Sequence, residues 1–163
     1  MAWTTPATPA LAQLVNATVW NPQVRDNLNF LAALATQGYA DASVTTTSTS
    51  YVTLSGGPTV SGVDLDPGQQ VIVVATARCD NDAHTATTGA KISYAISGAG
   101  TRAADDTYSA EATGSPQQVL LVDLYAVVNG GTYTFTMNYQ RTGASGTAAF
   151  IRRKLIVIPW HQT

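Results

Sequence analysis

A stretch of strict alternation between residues 133 and 139 constrains the fold of this chain more than any other feature. Every second side chain in it is aromatic or apolar, and the residues between are polar. The apolar set is Tyr133, Phe135, Met137 and Tyr139, and the polar set is Thr134, Thr136 and Asn138. Because successive side chains of a strand point to opposite faces, the pattern predicts a strand with one face in a hydrophobic core.

Most of the chain after Gly38 carries signals of the same kind. Residues 101–116 are ambiguous, with one short strand predicted around Tyr108, and Pro159 is expected to end the last strand. The other predicted strands are 45–54, 59–65, 70–77, 91–97, 118–128 and 148–158. Short strands separated by turn signals such as Asp66-Pro67-Gly68 predict a mainly β protein. The expected architecture is an antiparallel, jelly-roll-like β-sandwich.

The residues before Gly38 carry a different pattern, which predicts an N-terminal extended arm followed by one helix. Val24, Leu28 and Leu31 fall at helical spacing. Asn21-Pro22 is typical of a helix start and Gly38 of a helix stop, so the helix is predicted at about 22–36. The predicted organisation is therefore an arm and helix over 1–40, for attachment or oligomerisation, and a sandwich domain over 41–163.

The composition narrows the classes of function. Only 11% of the residues are charged, against about 25% in ordinary soluble domains, so threonine, serine, glycine and alanine must cover much of the surface. Such a surface suits contact with other protein. The net charge of -2 provides no basic footprint for nucleic acid. Neither a signal peptide nor an apolar run of about 20 residues is found, so no membrane insertion is expected.

Asp80, Asp82 and His84 form the most metal-like group of the sequence. Alternating oxygen ligands are typical of a calcium loop, but that loop also requires glycine at its sixth position and a carboxylate at its twelfth. Here those positions hold Thr85 and Lys91. A solvated loop between strands is the preferred interpretation, and we expect neither a metal nor a cofactor.

No set of residues fills the roles of a catalytic site. Ser145 lies in a Gly-Ala-Ser-Gly-Thr stretch that lacks the closing glycine of a nucleophile elbow. Glu111 and Asp123 could be nominated as a glycosidase pair, although their spacing does not single them out. The sequence therefore predicts a protein that is not an enzyme, without catalytic residues.

Two stretches resemble proteins of tailed-bacteriophage particles. Trp3-Thr4-Thr5-Pro6, followed later by Val24-Arg25-Asp26-Asn27-Leu28, resembles the opening segment of many such virion proteins. Gly131–Phe135 together with Arg153–Ile158 is similar to the closing hairpin of β-heads on phage fibres. Pro22 departs from the pattern, since it shortens or kinks the helix. The chain also lacks a long shaft, which limits it to a short spike or knob.

The resemblance implies a protein of the virion, made in the host cytoplasm and displayed on the particle as a short tail fibre or spike. It implies a homo-oligomer, with a trimer as the expected form, and contacts with other virion proteins and a host surface glycan. The attachment and oligomerisation residues would be Trp3, Trp20, Val24, Arg25, Asp26, Asn27, Leu28 and Leu31. The candidate ligand-contact residues are Asp80, Asp82, His84, Arg102 and Tyr108, in loops 79–90, 98–116 and 142–146.

Two alternatives remain open at this stage. One is a head decoration protein that stabilises the capsid, and the other, more distant, is a virion-associated hydrolase. The N-terminal motif ranks the fibre slightly ahead of the decoration protein.

Overall fold

The computed structural model describes residues 36–160. They form nine strands and a single 3-10 turn at Asp106–Tyr108, and all the strand pairings are antiparallel. The strands are β1 (Thr36–Ala40), β2 (Val44–Thr46), β3 (Thr59–Leu65), β4 (Gln70–Asn81), β5 (Gly89–Gly98), β6 (Ala110–Thr113), β7 (Gln117–Ala126), β8 (Gly131–Thr142) and β9 (Ala148–Trp160).

The strands are divided between two sheets. The first has the order β1-β9-β4-β7, with β2 also pairing with β9, and the second has the order β3-β8-β5-β6. From β2 onward the chain changes sheet at every connection except that between β5 and β6, an alternation found in jelly-roll sandwiches. The prediction of a mainly β, antiparallel sandwich is confirmed.

The core lies between the sheets, and β8 contributes its aromatic face as predicted. Tyr133, Phe135, Met137 and Tyr139 are all at most 1% exposed. Across from them lie mostly small and branched residues of β4 and β9, including Val73 and Val157, which are fully buried. One ring of the first sheet also enters the core, since Phe150 of β9 lies with its centroid 4.8 Å from that of Tyr139.

Several strand boundaries differ from the sequence prediction. β4 runs to Asn81 instead of ending near residue 77, because long neighbours on both sides continue its ladder: Cys79 pairs with Gln117 of β7 and with Phe150 of β9. β9 also continues through Pro159 to Trp160. Among the described residues, β1 reaches only Val157, so no described strand requires a backbone N–H from Pro159 on that side of β9.

The segments whose sequence patterns were weakest, residues 45–54 and those around Tyr108, also differ from the prediction. Of the predicted strand 45–54, only Thr45 and Thr46 lie in a strand, β2 (Val44–Thr46), and Val52 makes an isolated bridge to Tyr139. Tyr108, predicted in a short strand, instead ends the 3-10 turn, and the short strand β6 follows it. Hydroxyl-rich runs are compatible with strand and loop alike, so their pattern alone could not separate the two.

The predicted arm and helix lie outside the described residues, except for the last helical position, Thr36. That position is wrong, since Thr36 belongs to β1. Gly38, the predicted helix stop, lies inside β1 opposite Leu155. A side chain there would approach the Thr59 backbone nitrogen to 2.9 Å, so glycine is required for close strand contact. The first sheet thus begins at Thr36, before the predicted boundary at residue 41.

Candidate functional site

The five candidate ligand-contact residues fall in two separate places. The loop after β4 meets the β6–β7 and β8–β9 turns, because His84 Nδ1 lies 3.1 Å from the Gly114 carbonyl oxygen and Asp82 bonds Thr147. Arg102 belongs to the β5–β6 loop, which is joined at Ala99 to the β7–β8 turn. Since β5 runs between the two loops, they lie at opposite ends of the sandwich. The predicted single contact surface is thus divided.

The Asp80–His84 segment is engaged with the backbone around it. Asp82 Oδ1 accepts the Thr147 N–H at 2.6 Å, and Asn81 bonds both the Gly89 carbonyl and the Ala83 N–H. Asp80 Oδ1 lies 3.6 Å from His84 Nδ1. Within residues 36–160, no three His, Cys, Asp or Glu side chains group into a metal site. The segment orders three turns at one end of the sandwich.

Arg102 stands at the centre of a group that we call the arginine–tyrosine cluster: Arg102, Asp123, Tyr94, Tyr108 and Tyr125. The guanidinium carbon lies 3.7 Å from the ring centroid of Tyr108, 4.5 Å from that of Tyr94 and 5.2 Å from that of Tyr125. Its Nη2 donates to Asp123 Oδ2 at 2.8 Å. Cations over aromatic faces gain about 0.5–2 kcal/mol each when partly desolvated.

Electrostatics within the arginine–tyrosine cluster favour a charged carboxylate. Burial alone would raise the pKa of Asp123, but hydrogen bonds from Tyr94 and Arg102, with the guanidinium charge, outweigh it and hold that pKa below its usual value. Burial and the hydrogen bond to Asp123, 2.5 Å long, raise the pKa of the Tyr94 hydroxyl. At neutral pH Asp123 is therefore an anion paired with Arg102, and Tyr94 is a neutral donor.

This arrangement joins the two sheets. Tyr94 comes from β5 of the second sheet and Asp123 from β7 of the first. Arg102 is held beside them by a two-way backbone bridge to Ile96. The sequence analysis singled out Arg102 and Tyr108 but missed Tyr94 and the partnership with Asp123. Asp123 lies 21 positions from Arg102 and 29 from Tyr94, so no local pattern could have shown this partnership.

The two carboxylates nominated for glycoside hydrolysis have different surroundings. Asp123 is bound by Tyr94 and Arg102. Glu111 lies on the outer side of the second sheet, where it accepts the Thr142 hydroxyl and lies 3.7 Å from Lys91 Nζ. Asp123 is thus paired with Arg102, and Glu111 shares Lys91 with Asp106, an arrangement that suits structural ion pairs better than a raised-pKa general acid.

Three consecutive basic residues near the C-terminus, Arg152-Arg153-Lys154, are divided by a β-bulge. The register of β9 against β4 shifts between Thr76 and Arg78, and Arg152 adopts a φ of 53°. The extra residue turns Arg153 inward, so that it is 1% exposed. Its guanidinium donates to the Tyr139 hydroxyl at 3.4 Å and to the Ala42 carbonyl at 3.2 Å. This run therefore does not form a surface cation patch.

The outer surface of the first sheet is apolar, and we call it the aliphatic face. Its seven residues are Leu120, Val122 and Leu124 of β7, Ile72 and Val74 of β4, and Ile156 and Ile158 of β9. Cross-strand register places Leu124, Ile72 and Ile158 in one row and Val122, Val74 and Ile156 in the next. The β7 members are the most exposed, at 62%, 61% and 54% for Leu120, Val122 and Leu124. Contiguous exposed apolar side chains of this kind mark contact surfaces.

Comparison with known proteins finds no matching family model and no matching curated protein. A search of the part of the chain that the structure describes finds no helix long and apolar enough to cross a membrane.

Several solved structures are similar in fold. The CBM22-1 xylan-binding domain of Paenibacillus barcinonensis Xyn10C is 13% identical, with a TM-score of 0.39, over 80% of this chain and 85% of that one. The infectious bursal disease virus VP2 subviral particle is 13% identical, with a TM-score of 0.42, over 78% of this chain and 32% of that one. The tailspike protein 4 domain of bacteriophage CBA120 is 13% identical, with a TM-score of 0.35, over 76% and 19%. Likeness at this level indicates no function.

Proposed function

We propose that this chain is a structural or adhesive protein of a tailed-bacteriophage particle, displayed as a short fibre or spike. The observation that carries the proposal is the aliphatic face, a row-by-row apolar surface on the outside of a folded sandwich. A protein with 11% charged residues and such a face is suited to contact with other protein chains. The N-terminal resemblance to phage virion proteins directs the proposal to the phage particle.

The proposal includes the absence of catalysis. Among residues 36–160, several side chains that could act as acids, bases or ligands hold the fold. Asp82 and His84 bind turn backbone, whereas Asp123 and Arg102 bind each other. These contacts support a structural role for the four residues.

Attachment through the N-terminal segment is part of the same proposal. Trp3, Trp20 and the segment from Val24 to Leu31 would contact other virion proteins, and the chain would act as a homo-oligomer. Contact with a host glycan is assigned to the end of the sandwich where the loop holding Asp82 and His84 meets the β8–β9 turn. Jelly-roll loops at one end are exposed and tolerate variation, which suits recognition of a surface glycan.

A head decoration protein is the second candidate, and the aliphatic face favours it as well. A shell-stabilising protein must bury apolar surface against its neighbours, and that burial is worth about 25 cal/mol per Å². The two candidates differ in their place on the particle rather than in chemistry.

The deciding experiment is gold-labelled antibody raised against residues 36–160, applied to purified parent particles and viewed by electron microscopy. Label at the tail or its tip would identify a fibre or spike, and label over the head would identify a decoration protein. Antibody pre-adsorbed with the purified protein is the control. Intact particles that carry no label would contradict the virion proposal.

A further inference from the structure

Four places at the sheet margins could accept another strand, and β7 differs from the others. β6 has four residues, and β1 and β2 have five and three. β3 is interrupted by a register shift between Val60 and Val63. β7 has ten residues in unbroken register with β4. Among the described residues it is therefore the long, regular edge.

Natural sheets protect such edges with short strands, bulges, lysines, prolines or inward-pointing charges. The first two devices are present at the other margins. The sequence of β7, from Gln117 to Ala126, contains neither lysine nor proline, and its one inward-pointing charge, Asp123, is paired with Arg102. A long, regular edge of this kind is a template for pairing with another strand.

The backbone groups on the open side of β7 can be assigned from the ladder. Just past the strand, the Val127 N–H donates to the Gln69 carbonyl at 2.8 Å, so Val127 directs its backbone towards β4. Alternate residues of an antiparallel strand direct their N–H and C=O to opposite sides. Leu120, Val122 and Leu124 therefore direct theirs to the open edge.

One further contact agrees with this assignment. The Leu124 N–H is bonded to the carboxylate of its own neighbour, Asp123, at 2.8 Å, rather than to β4. Leu120, Val122 and Leu124, whose backbone groups face outward, are also the large apolar residues of β7 that are more than half exposed. Main chain and side chains thus present one continuous strip for a partner strand.

We propose that β7 pairs antiparallel with β7 of a second copy of this chain, across a two-fold axis at Val122. Val122 would then lie opposite Val122 of the second copy, and Leu120 opposite Leu124 of the second copy. All three positions would be hydrogen-bonded pairs, in which two residues exchange both N–H···O bonds. The Leu124 N–H would exchange its bond to Asp123 for one to the carbonyl of Leu120 in the second copy. The two five-stranded sheets become one sheet with a continuous aliphatic face.

The distribution of charge along β7 is the reason for proposing a second copy of this chain as its partner. A two-fold contact brings like residues together, so it requires a strip without charge at its centre. The strand's one charged residue, Asp123, is turned inward to Arg102. In the proposed register it lies opposite Leu121 of the second copy, not opposite its own equivalent. The Leu-x-Val-x-Leu spacing is also symmetric about Val122.

This contact sharpens the homo-oligomer of the proposed function but is separate from the virion location. A two-fold contact does not close a trimer; it joins two chains, or two trimers. The mass of the purified chain tests the contact and the antibody labelling tests the location, so either can fail while the other stands.

The first test is the mass of the full chain by light scattering. We expect the wild-type chain to assemble in even multiples of 17.0 kDa. Val122→Lys should halve the mass of the assembly, because two lysines would meet at the two-fold axis. The matched control is Val128→Lys, the same change at a residue that is 77% exposed and lies beyond the end of β7. It should keep the wild-type mass. Far-UV circular dichroism checks that both variants fold.

A mixing experiment tests the register. Val122→Lys and Val122→Glu should each be dissociated alone and should assemble when combined, since residue 122 of one copy would face residue 122 of the other. A wild-type chain that is monomeric or trimeric up to millimolar concentration would overturn the proposal. So would a folded Val122→Lys of unchanged mass, folded variants that fail to assemble on mixing, or a monomer that takes up a strand of another virion protein at β7.

Discussion

The outer faces of the two sheets are finished in different ways. On the second sheet, Tyr51 reaches across from beside β8 and donates to Asp106, which also binds Lys91 of β5 at 3.0 Å. Glu111 adds a second carboxylate near that lysine. On the first sheet, the corresponding surface is the aliphatic face, and its β7 members are more than half exposed. The outer face of the second sheet carries charged groups that pair with one another within the chain, as Lys91 does with Asp106 and Glu111, whereas the outer face of the first sheet presents exposed apolar groups.

This difference indicates which sheet would contribute more free energy to binding a partner. Exposed ion pairs are worth little, about 0–1 kcal/mol each, because water competes for them. Covering aliphatic side chains is worth about 0.8 kcal/mol for each buried methylene. A partner therefore gains more from the first sheet than from the second, although the two sheets share one core.

The largest test compares neighbouring leucines of β7 by urea denaturation at a concentration where the chain is dissociated. Leu121 is 7% exposed and Leu120 is 62% exposed. Leu121→Ala should lower the free energy of unfolding by about 2–5 kcal/mol, because it leaves a cavity. Leu120→Ala should cost less than about 1 kcal/mol. Equal losses of unfolding free energy in the two variants would mean that the folded chain itself covers the aliphatic face. The outer faces of the two sheets would then not differ in the way described.

A second test compares the paired carboxylates. Asp123→Asn should lower the free energy of unfolding by about 1.5–3 kcal/mol, since it leaves the largely buried Arg102 without its counter-charge. Asp106→Asn is the matched control on the outer face of the second sheet, and should cost less than about 1 kcal/mol. A larger loss of unfolding free energy for Asp106→Asn than for Asp123→Asn would show that the surface ion pair stabilises the fold more than the arginine–tyrosine cluster does.

The same pair predicts a dependence on acid. The pKa of Asp123 is lower in the folded chain than its ordinary value of 3.8. Its contribution to stability is therefore present above that value and is lost as the pH falls below 3.8 through the folded pKa. Urea midpoints measured from neutral pH to pH 2 should fall in this window, and Asp123→Asn should flatten part of the decrease. A slope identical in both proteins would exclude Asp123 as its source.

The smallest effect is expected for Lys91→Ala. Removing the lysine breaks its ion pairs with Asp106 and Glu111, at a cost of about 0.5–1 kcal/mol that should diminish at high salt. Thermal unfolding at low and high salt measures it, with Lys154→Ala as a control on the opposite sheet. A loss that is independent of salt would mean that the lysine stem, not its charge, supports the second sheet.

Much of the fold followed from local patterns, and the errors have a common origin. Alternation correctly predicted the aromatic face of β8, and turn signals correctly predicted the bounds of β3. The boundaries that were wrong, such as the extension of β4 past Ala77 and of β9 past Pro159, depend on how far the neighbouring strands continue. The sequence of one strand does not indicate how long its neighbouring strands are, so these boundaries could not be predicted from it.

The candidate site was less accessible than the fold. Arg102 and Tyr108 were recognised as polar and aromatic loop residues, but nothing in the sequence indicated that the arginine lies over the tyrosine ring at 3.7 Å. Asp80, Asp82 and His84 were singled out as the most metal-like group of the sequence, but the structure places polar atoms of Asp82 and His84 against turn backbone and Asp80 beside His84. Short-range grouping identifies chemical types; the partners come from distant strands.

By itself, the sequence determined which side chains alternate, where turns interrupt the strands, and how little charge the surface carries. These are local properties, set by the two-residue period of a strand and by turn chemistry. Only the tertiary structure decided that Arg153 is buried, that Tyr94 and Asp123 join the two sheets, and that β7 lies at an edge with its aliphatic row exposed. Each of these depends on strand order and register, which arise from contacts between residues far apart in the chain.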